Sequence, residues 1–367
     1  MKLNKLALCG FRNFRAVTLS CAPGVNLVVG ANAQGKTNLL EAIGYLGCGR
    51  SFRTSKNVEL VRFGGEAAEI NADIFAQERA QTLRYLLFSG QRPRQIYQNG
   101  VKRRSPSEFS GVFRTVLFCP EDLMVLRGGA AGRRKLADAA LCQLRPNYEA
   151  ALAEYGRILE RKSKILRDRF ENPALLAILP EYNERLCQVG ALLISYRARF
   201  FDSLGKAAAR YHAAFSGERE EFTLTYRTVS TICDPFASIL SITELLRAHM
   251  ESHARAELES AQCLTGPHKD DFETALSGLP AKSFASQGQL RTATISLKLA
   301  QRELMAREGG EMPVLLLDDV LSELDAARQD FVLNQISGGQ VFITCCEPGR
   351  FTKLGQTVEI REGELVI

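Results

Sequence analysis

Near its start the chain alternates apolar and polar positions in KLALCGF, which predicts a strand with one buried face. GVNLVVG is a short apolar run that predicts a fully buried strand. It leads into a glycine-rich turn, after which KTNLLEAIGYL takes up helical spacing. Further on, RQIYQ and VKRR flank Asn99-Gly100, a pair that favours a two-residue hairpin turn. Between about residues 132 and 214 the pattern turns helical and glycine becomes sparse. Leu152, Tyr155, Leu159 and Leu166 recur at helical spacing, with Lys162 interrupting them. After Glu171-Asn172-Pro173 and Pro180 the spacing resumes with Tyr182, Leu186, Val189, Leu193, Tyr196, Phe200 and Leu204. Two amphipathic helices joined at prolines predict an antiparallel pair. EFTLTYRTV (221–229) reads as a strand, and Asp234 to Ser260 as helix.

The last hundred residues return to strand and helix in turn. SQGQLRTATISLKLAQREL begins as a turn and becomes a helix, while MPVLLLDDV and QVFITCC are buried strands. The simplest account is an α/β fold, a parallel sheet with crossover helices that a helical insertion interrupts. On this reading residues 1–121 and 262–367 form one discontinuous domain, and residues 122–261 form the inserted arm.

Composition narrows the class. The chain has 367 residues, 46% hydrophobic and 24% charged, ordinary values for a globular protein. No run reaches the length of a membrane span, and MKLNKLALCGFRNF lacks the long apolar core of a signal peptide. The ten cysteines are scattered without a CxxC pair, which predicts reduced thiols in a cytoplasmic protein; Cys345-Cys346 are adjacent. A net charge of +6 permits a polyanionic partner without requiring one.

The chemistry starts at GANAQGKT, which matches G-x-x-x-x-G-K-[ST] between a predicted strand and a predicted helix. Gly30 and Gly35 let the backbone curl its N–H groups toward phosphate oxygens. Lys36 reaches the β- and γ-phosphates, Thr37 offers a hydroxyl to Mg²⁺, and the helix N-terminus adds its dipole. The apolar strand at Val314 to Leu317 then delivers Asp318 and Asp319 to the edge where open α/β sheets bind ligands. Asp318 suits magnesium, and Asp319 suits orienting the water that attacks the γ-phosphate. Lys36 and Asp318 are 282 positions apart, so a large insertion separates two halves of one site. Ser286-Gln287-Gly288-Gln289 precedes a helix and makes a second phosphate-binding surface, or else an ordinary turn capped by Ser286.

These motifs together resemble the ABC-type ATPases. SQGQ is similar to their signature turn, and Ser322-Glu323-Leu324-Asp325 to their D-loop. More closely, the chain resembles the RecF family, related to the heads of SMC-type proteins. The stretches that carry the likeness are FRNFRAVTL, PGVNLVVGANAQGKTNLLEAI, GRSFRT, FCPEDLMVLRGG, GRRKLAD, TGPHKDDFE, SQGQLRT and LLLDDVLSELD. The resemblance implies an ABC-type, SMC-head P-loop ATPase domain with a mixed β-sheet and an inserted α-helical arm. It implies a homodimer with ATP and Mg²⁺ sandwiched between heads, and DNA binding at single-strand/double-strand boundaries. It further implies RecR as partner, with RecO and RecA downstream, and slow hydrolysis stimulated by DNA. Site roles carried over are Gly30, Asn32, Gly35, Lys36, Thr37 and Asn38 for the phosphate loop, with Arg12 and Asn13 in a loop approaching the nucleotide. Lys36 and Asp319 would be catalytic, and Thr37 and Asp318 would hold magnesium. Ser286, Gly288 and Gln289 would grip the partner's nucleotide, with Asp325 at the dimer seam.

Two departures stand out. RTVLFCPEDL has no glutamine where transporter ATPases carry one, and Cys345 stands where a switch histidine is expected. His268 reads as a turn or packing residue. Fewer polar groups on the attacking water predict slow turnover. Basic clusters at Arg157, Arg161, Lys162, Lys164, Arg167 and Arg169, at Arg50, Arg53 and Lys56, and at Lys102, Arg103 and Arg104 are candidates for the DNA backbone. The rival readings are the ATPase subunit of a membrane transporter and a monomeric P-loop enzyme such as a kinase.

Overall fold

The structure, a computed structural model, describes residues 1–105, 108–336, 338–347 and 349–366. The chain divides into two compact units, Met1–Met124 with Gly288–Ile367, and Val125–Gln287. The expected N-terminal edge of the arm lies within a few residues of this division. The C-terminal edge, expected at 261/262, falls instead after Gln287.

The first unit holds two sheets. One is antiparallel, in the order β2 (Phe14–Ser20), β1 (Lys2–Phe11), β4 (Ala67–Ala76), β5 (Arg79–Phe88), β6 (Gln95–Gln98), β7 (Val101–Arg103). A bulge between Leu3 and Lys5 shifts the register of β1 against β4. It lets Leu3, Leu6 and Leu8 all face inward although strict alternation would forbid it. The β6–β7 hairpin turns at Asn99 (φ 51°) and Gly100 (φ 79°), the left-handed pair that a two-residue turn requires.

The other sheet is mixed, in the order β15 (Glu364–Val366), β14 (Gly355–Arg361), β3 (Val25–Val29), β13 (Val341–Cys345), β12 (Val314–Leu317), β8 (Thr115–Phe118). All its pairings are parallel except that of β15 with β14. Helix α1 (Lys36–Cys48) contributes Leu39, Leu40, Ile43 and Leu46 to one apolar cluster with Leu6 and Leu8 of the first sheet and Leu316 and Phe342 of the second. Full burial of such a side chain stabilises by about 1.5–3 kcal/mol before entropy. Helices α8 (Gln287–Gly309) and α9 (Ala326–Gln335) flank β12 in sequence.

The second unit is built on α2 (Ala130–Leu144), α3 (Pro146–Asp168) and α4 (Leu179–Ser216). Arg185 of α4 bonds Glu154 of α3 at 2.6 Å, while Tyr196 meets Tyr148 edge-on at 5.6 Å, so the two helices run antiparallel as expected. Pro180 sits in the first turn of α4, where its missing N–H costs nothing. Lys162, the polar interruption in the apolar face of α3, is 1% exposed and bonds Glu257 at 2.5 Å. It therefore leaves the basic cluster to which the sequence assigned it. The helix expected from Asp234 starts later, as α5 (Ile239–Ser252) capped by Ser238, followed by α6 (Ala254–Ser260).

Strand β9 (Phe222–Arg227) pairs antiparallel with β10 (Asp271–Leu276), which pairs in turn with β11 (Leu279–Pro280) ahead of α7 (Ala281–Phe284). That pairing draws residues beyond 261 into this unit and accounts for the shifted boundary. No described helix is long and apolar enough to cross a membrane.

Candidate nucleotide-binding site

Parallel strands β3, β13, β12 and β8 present their C-terminal ends along one edge. From β3 the chain enters the Gly30–Gly35 loop and then α1. Glycine is required at both loop ends by close approach. A Cβ on Gly30 would lie 2.5 Å from the Ile360 carbonyl oxygen, and one on Gly35 (φ 121°) 2.6 Å from Asn13 Nδ2. Helix α1 begins without a side-chain cap, so backbone amides in its first turn face the loop. Lys36 is 4% exposed. Its ammonium donates to the carbonyls of Gly30 (2.8 Å) and Ala31 (3.2 Å) and lies 4.0 Å from Asp319 Oδ2.

Strand β12 leads directly into Asp318, whose amide donates to the Phe118 carbonyl at 2.9 Å. Asp318 Oδ1 accepts from Thr37 Oγ1 (3.0 Å) and from Thr344 Oγ1 (2.9 Å). Burial pushes the Asp318 carboxyl above its usual range, the Thr344 and Thr37 hydroxyls pull it back, and the charges of Asp319 and Glu121 push it up again. Thr37 and Asp318 thus join a hydroxyl and a carboxylate, the hard-oxygen donor set that fits Mg²⁺. Asp319 holds a left-handed backbone (φ 51°), and its amide donates to Thr344 Oγ1 at 2.7 Å. Thr344, at the end of β13, therefore fixes both acids. The sequence reading passed over it, although a hydroxyl in VFITCC next to the acidic strand is the signal that finds it.

Asn13 braces the loop from the β1–β2 turn. Its Nδ2 donates to the Gln34 carbonyl (2.7 Å), and its Oδ1 accepts from Asn38 Nδ2 (2.8 Å). Arg12 is placed differently from its neighbour. Its guanidinium forks onto buried Glu41 with two 2.8 Å bonds and donates to the Glu59 carbonyl. Glu41 also accepts from Ser51, and Arg53 donates to Asn38 Oδ1 at 2.7 Å. Glu41, Ser51 and Arg53 form a bracing network that the motif reading missed; GRSFRT carries two of them. Asn32 Oδ1 accepts from the Cys346 thiol at 3.0 Å.

The remaining site residues lie on other elements. Ser286 is exposed and belongs to the second unit, while Gly288 and Gln289 begin the part of α8 that belongs to the first. Asp325 caps α9, accepting from the Arg328 amide at 2.9 Å.

Comparison with known proteins decides the family. Residues 2–365 match the family model described as the RecF/RecN/SMC N terminal domain. The chain is 38% identical over 349 residues to a DNA replication and repair protein RecF of Symbiobacterium thermophilum, covering 95% of this chain and 92% of that one. It is 37% identical to a protein of the same description from Staphylococcus aureus, covering 94% and 93%. The chain belongs to the RecF family.

Two solved structures share its fold closely. One is described as the recombination mediator protein RecF-ATPrS in the RecFOR pathway, with a TM-score of 0.91, 32% identity, and 99% of this chain and 97% of that one covered. The other, described as RecF-ATP, has a TM-score of 0.89 and 31% identity, covering 99% and 96%. An Smc head domain from Pyrococcus furiosus, 16% identical with a TM-score of 0.56 and covering 99% and 95%, shares the fold alone. The expected SMC-head architecture with mixed sheet and helical insertion stands. RecF membership displaces the transporter and kinase readings.

Within the RecF frame the departures acquire a physical form. In the RTVLFCPEDL stretch, which lacks the transporters' glutamine, Asp122 accepts from the Cys119 amide (3.0 Å) and pairs with Lys298 of α8 (2.8 Å), which also donates to the Leu117 carbonyl. At the switch position the Cys345 thiol is buried. Burial and the Asp319 charge push its pKa up to about 11, so it stays protonated near neutrality. His268 lies in the second unit, where Tyr155 and the Cys263 carbonyl hold its ring (2.8 and 3.0 Å); this agrees with a packing role.

Proposed function

We propose that the chain is an ATP-dependent DNA-binding protein of recombinational repair, a weak ATPase that dimerises with ATP held between two heads. The observation that carries this reading is the joining of Thr37 to Asp318 at 3.0 Å, which welds phosphate loop and acidic strand into one half-site. The other elements an ABC-type site needs, the SQGQ turn and Asp325, are supplied to a second copy's nucleotide.

Lys36 binds the β- and γ-phosphates, with the α1 amides beneath them. Thr37 and Asp318 would hold Mg²⁺, which supplies charge neutralisation on the phosphates. Asp319 orients the water that attacks the γ-phosphorus as the bond to the ADP oxygen breaks, and takes up its proton. With a protonated Cys345 thiol at the switch position and Asp122 paired to Lys298, this water has few other partners, and turnover is slow. DNA meets exposed Arg157, Arg161 and Lys164 on one face of α3, with Arg167 beside them, through its phosphates and without base reading. The protein works in the cytoplasm at gaps and junctions, with RecR and RecO, to load RecA.

The test is sedimentation with Mg²⁺ and a slowly hydrolysed ATP analogue, with and without gapped DNA. The wild-type chain becomes a dimer with analogue. Ser286→Arg binds the analogue but remains a monomer. A wild-type chain that binds analogue without dimerising overturns the reading, as does a Ser286→Arg chain that dimerises normally.

A further inference from the structure

Arg328, on the first turn of α9, reaches two elements at once. Its guanidinium engages the Asp325 carboxylate on one side, and its own amide donates to the same carboxylate, which caps α9, at 2.9 Å. On the other side Nη2 donates to the Gly288 carbonyl (3.0 Å) and Nε to Thr292 Oγ1 (3.2 Å), both in the opening turns of α8. Thr292 in turn donates to the Gly288 carbonyl at 3.1 Å. Neighbouring contacts support the arrangement. Gln329 donates to the carbonyls of Leu321 (2.7 Å) and Leu324 (3.0 Å), and Arg291 lies 3.8 Å from Glu323.

We infer that Arg328 is a positioning residue that clasps the D-loop to the start of the signature helix, so that both reach the partner copy's nucleotide as one surface. The inference rests on the shared-site reading above.

Three physical points carry it. First, Asp325 is half exposed and Arg328 about one-fifth exposed, and ion pairs this open to water add little to stability. The consequence of the contact is therefore geometric. Second, only a planar fork with several donors can satisfy a carboxylate on one edge and a carbonyl and hydroxyl on the other. Third, a surface assembled from two elements aligns a partner's phosphate only if the two keep a fixed spacing, and small misplacements of this kind cost rate rather than fold. The Arg328 amide and guanidinium hold the Asp325 carboxyl below its usual range, against partial burial.

The test is complementation between two impaired chains. Arg328→Ala lowers turnover by about tenfold, while the affinity of the isolated chain for ATP analogue and its unfolding midpoint stay at wild-type values. Arg328→Lys, which keeps charge and bulk, shows the same deficit because one ammonium cannot span both elements. Lys36→Ala alone does not turn over. Equal amounts of Arg328→Ala and Lys36→Ala, mixed with ATP and Mg²⁺, recover turnover well above either variant. The mixed dimer joins the intact phosphate loop of the first to the intact D-loop and signature of the second. If the wild-type chain dimerises with analogue but the mixture regains nothing, Arg328 acts within its own chain and the inference falls. Full activity of Arg328→Lys overturns it as well. If the wild-type chain does not dimerise at all, the shared-site reading has failed first.

Discussion

Charged residues do opposite work in the two units. In the head, Lys36, Asp318 and Asp319 gather at strand ends and a helix start, and Lys36 contacts the Gly30 and Ala31 carbonyls, the Cys346 sulfur at 3.4 Å and Asp319 at 4.0 Å. In the helical unit, Arg197 of α4 is enclosed. It bonds Asp138 of α2 (2.9 Å), Asp270 ahead of β10 (2.9 Å), the Tyr148 hydroxyl (3.0 Å) and the Pro267 carbonyl (2.7 Å). Asp270, 1% exposed, also accepts from Tyr226 and from Thr228 (2.7 Å). Burial pushes its carboxyl up, and Arg197 with these hydroxyls pulls it back. Ionic groups whose every valence is met inside the protein set the fold. Lys36 and Asp318 are buried too, but beside part-exposed Asp319 they gather at the strand ends, arranged for something that arrives later.

Arg197→Ala strikes the enclosed network hardest. It strands Asp270 without its cation and should cost about 3–5 kcal/mol of stability, read by chemical denaturation followed by helical signal. A loss below about 1 kcal/mol would show that the enclosed charges are no more structural than surface ones. Lys36→Ala inverts the pattern. ATP affinity should fall about a hundredfold, near 2.7 kcal/mol, while the denaturation midpoint moves far less than for Arg197→Ala. Binding of a fluorescent analogue checks the first part, and equal destabilisation by the two variants would erase the contrast.

The smallest effect is a pH slope. Burial, aided by the Lys269 and Arg134 charges, holds His268 below its usual value of 6.5, against the pull of the Cys263 carbonyl. The folded state therefore keeps it neutral while the unfolded chain takes a proton, so stability present above about pH 6.5 declines as pH falls below it. His268→Gln should flatten this part of the slope in thermal melts at stepped pH. An unchanged slope would assign it to other groups.

What the sequence disclosed follows from how local each feature is. Gly30, Gly35 and Lys36 declare themselves because backbone curl and phosphate chemistry are encoded within eight residues, and Asn99-Gly100 because the turn needs two left-handed positions. Lys162 looked like one more cation because Glu257, its partner, lies 95 positions away. The fork of Arg12 onto Glu41 stayed hidden because nothing near Arg12 in sequence announces Glu41 on the far side of the phosphate loop. The arm's second boundary was misplaced for a related reason. Pairing of β9 with β10 joins segments more than forty positions apart, and no hydrophobic pattern in either one names the other.

The Asn13 brace has a kinetic and thermodynamic consequence. With Gln34 and Asn38 both held by one side chain in the β1–β2 turn, the curl of the phosphate loop is settled when the head folds. An incoming nucleotide then meets a preformed cradle and loses little affinity to ordering it. On the proposed shared site, the entropic toll would then fall on the later encounter of two heads, a step that protein concentration tunes.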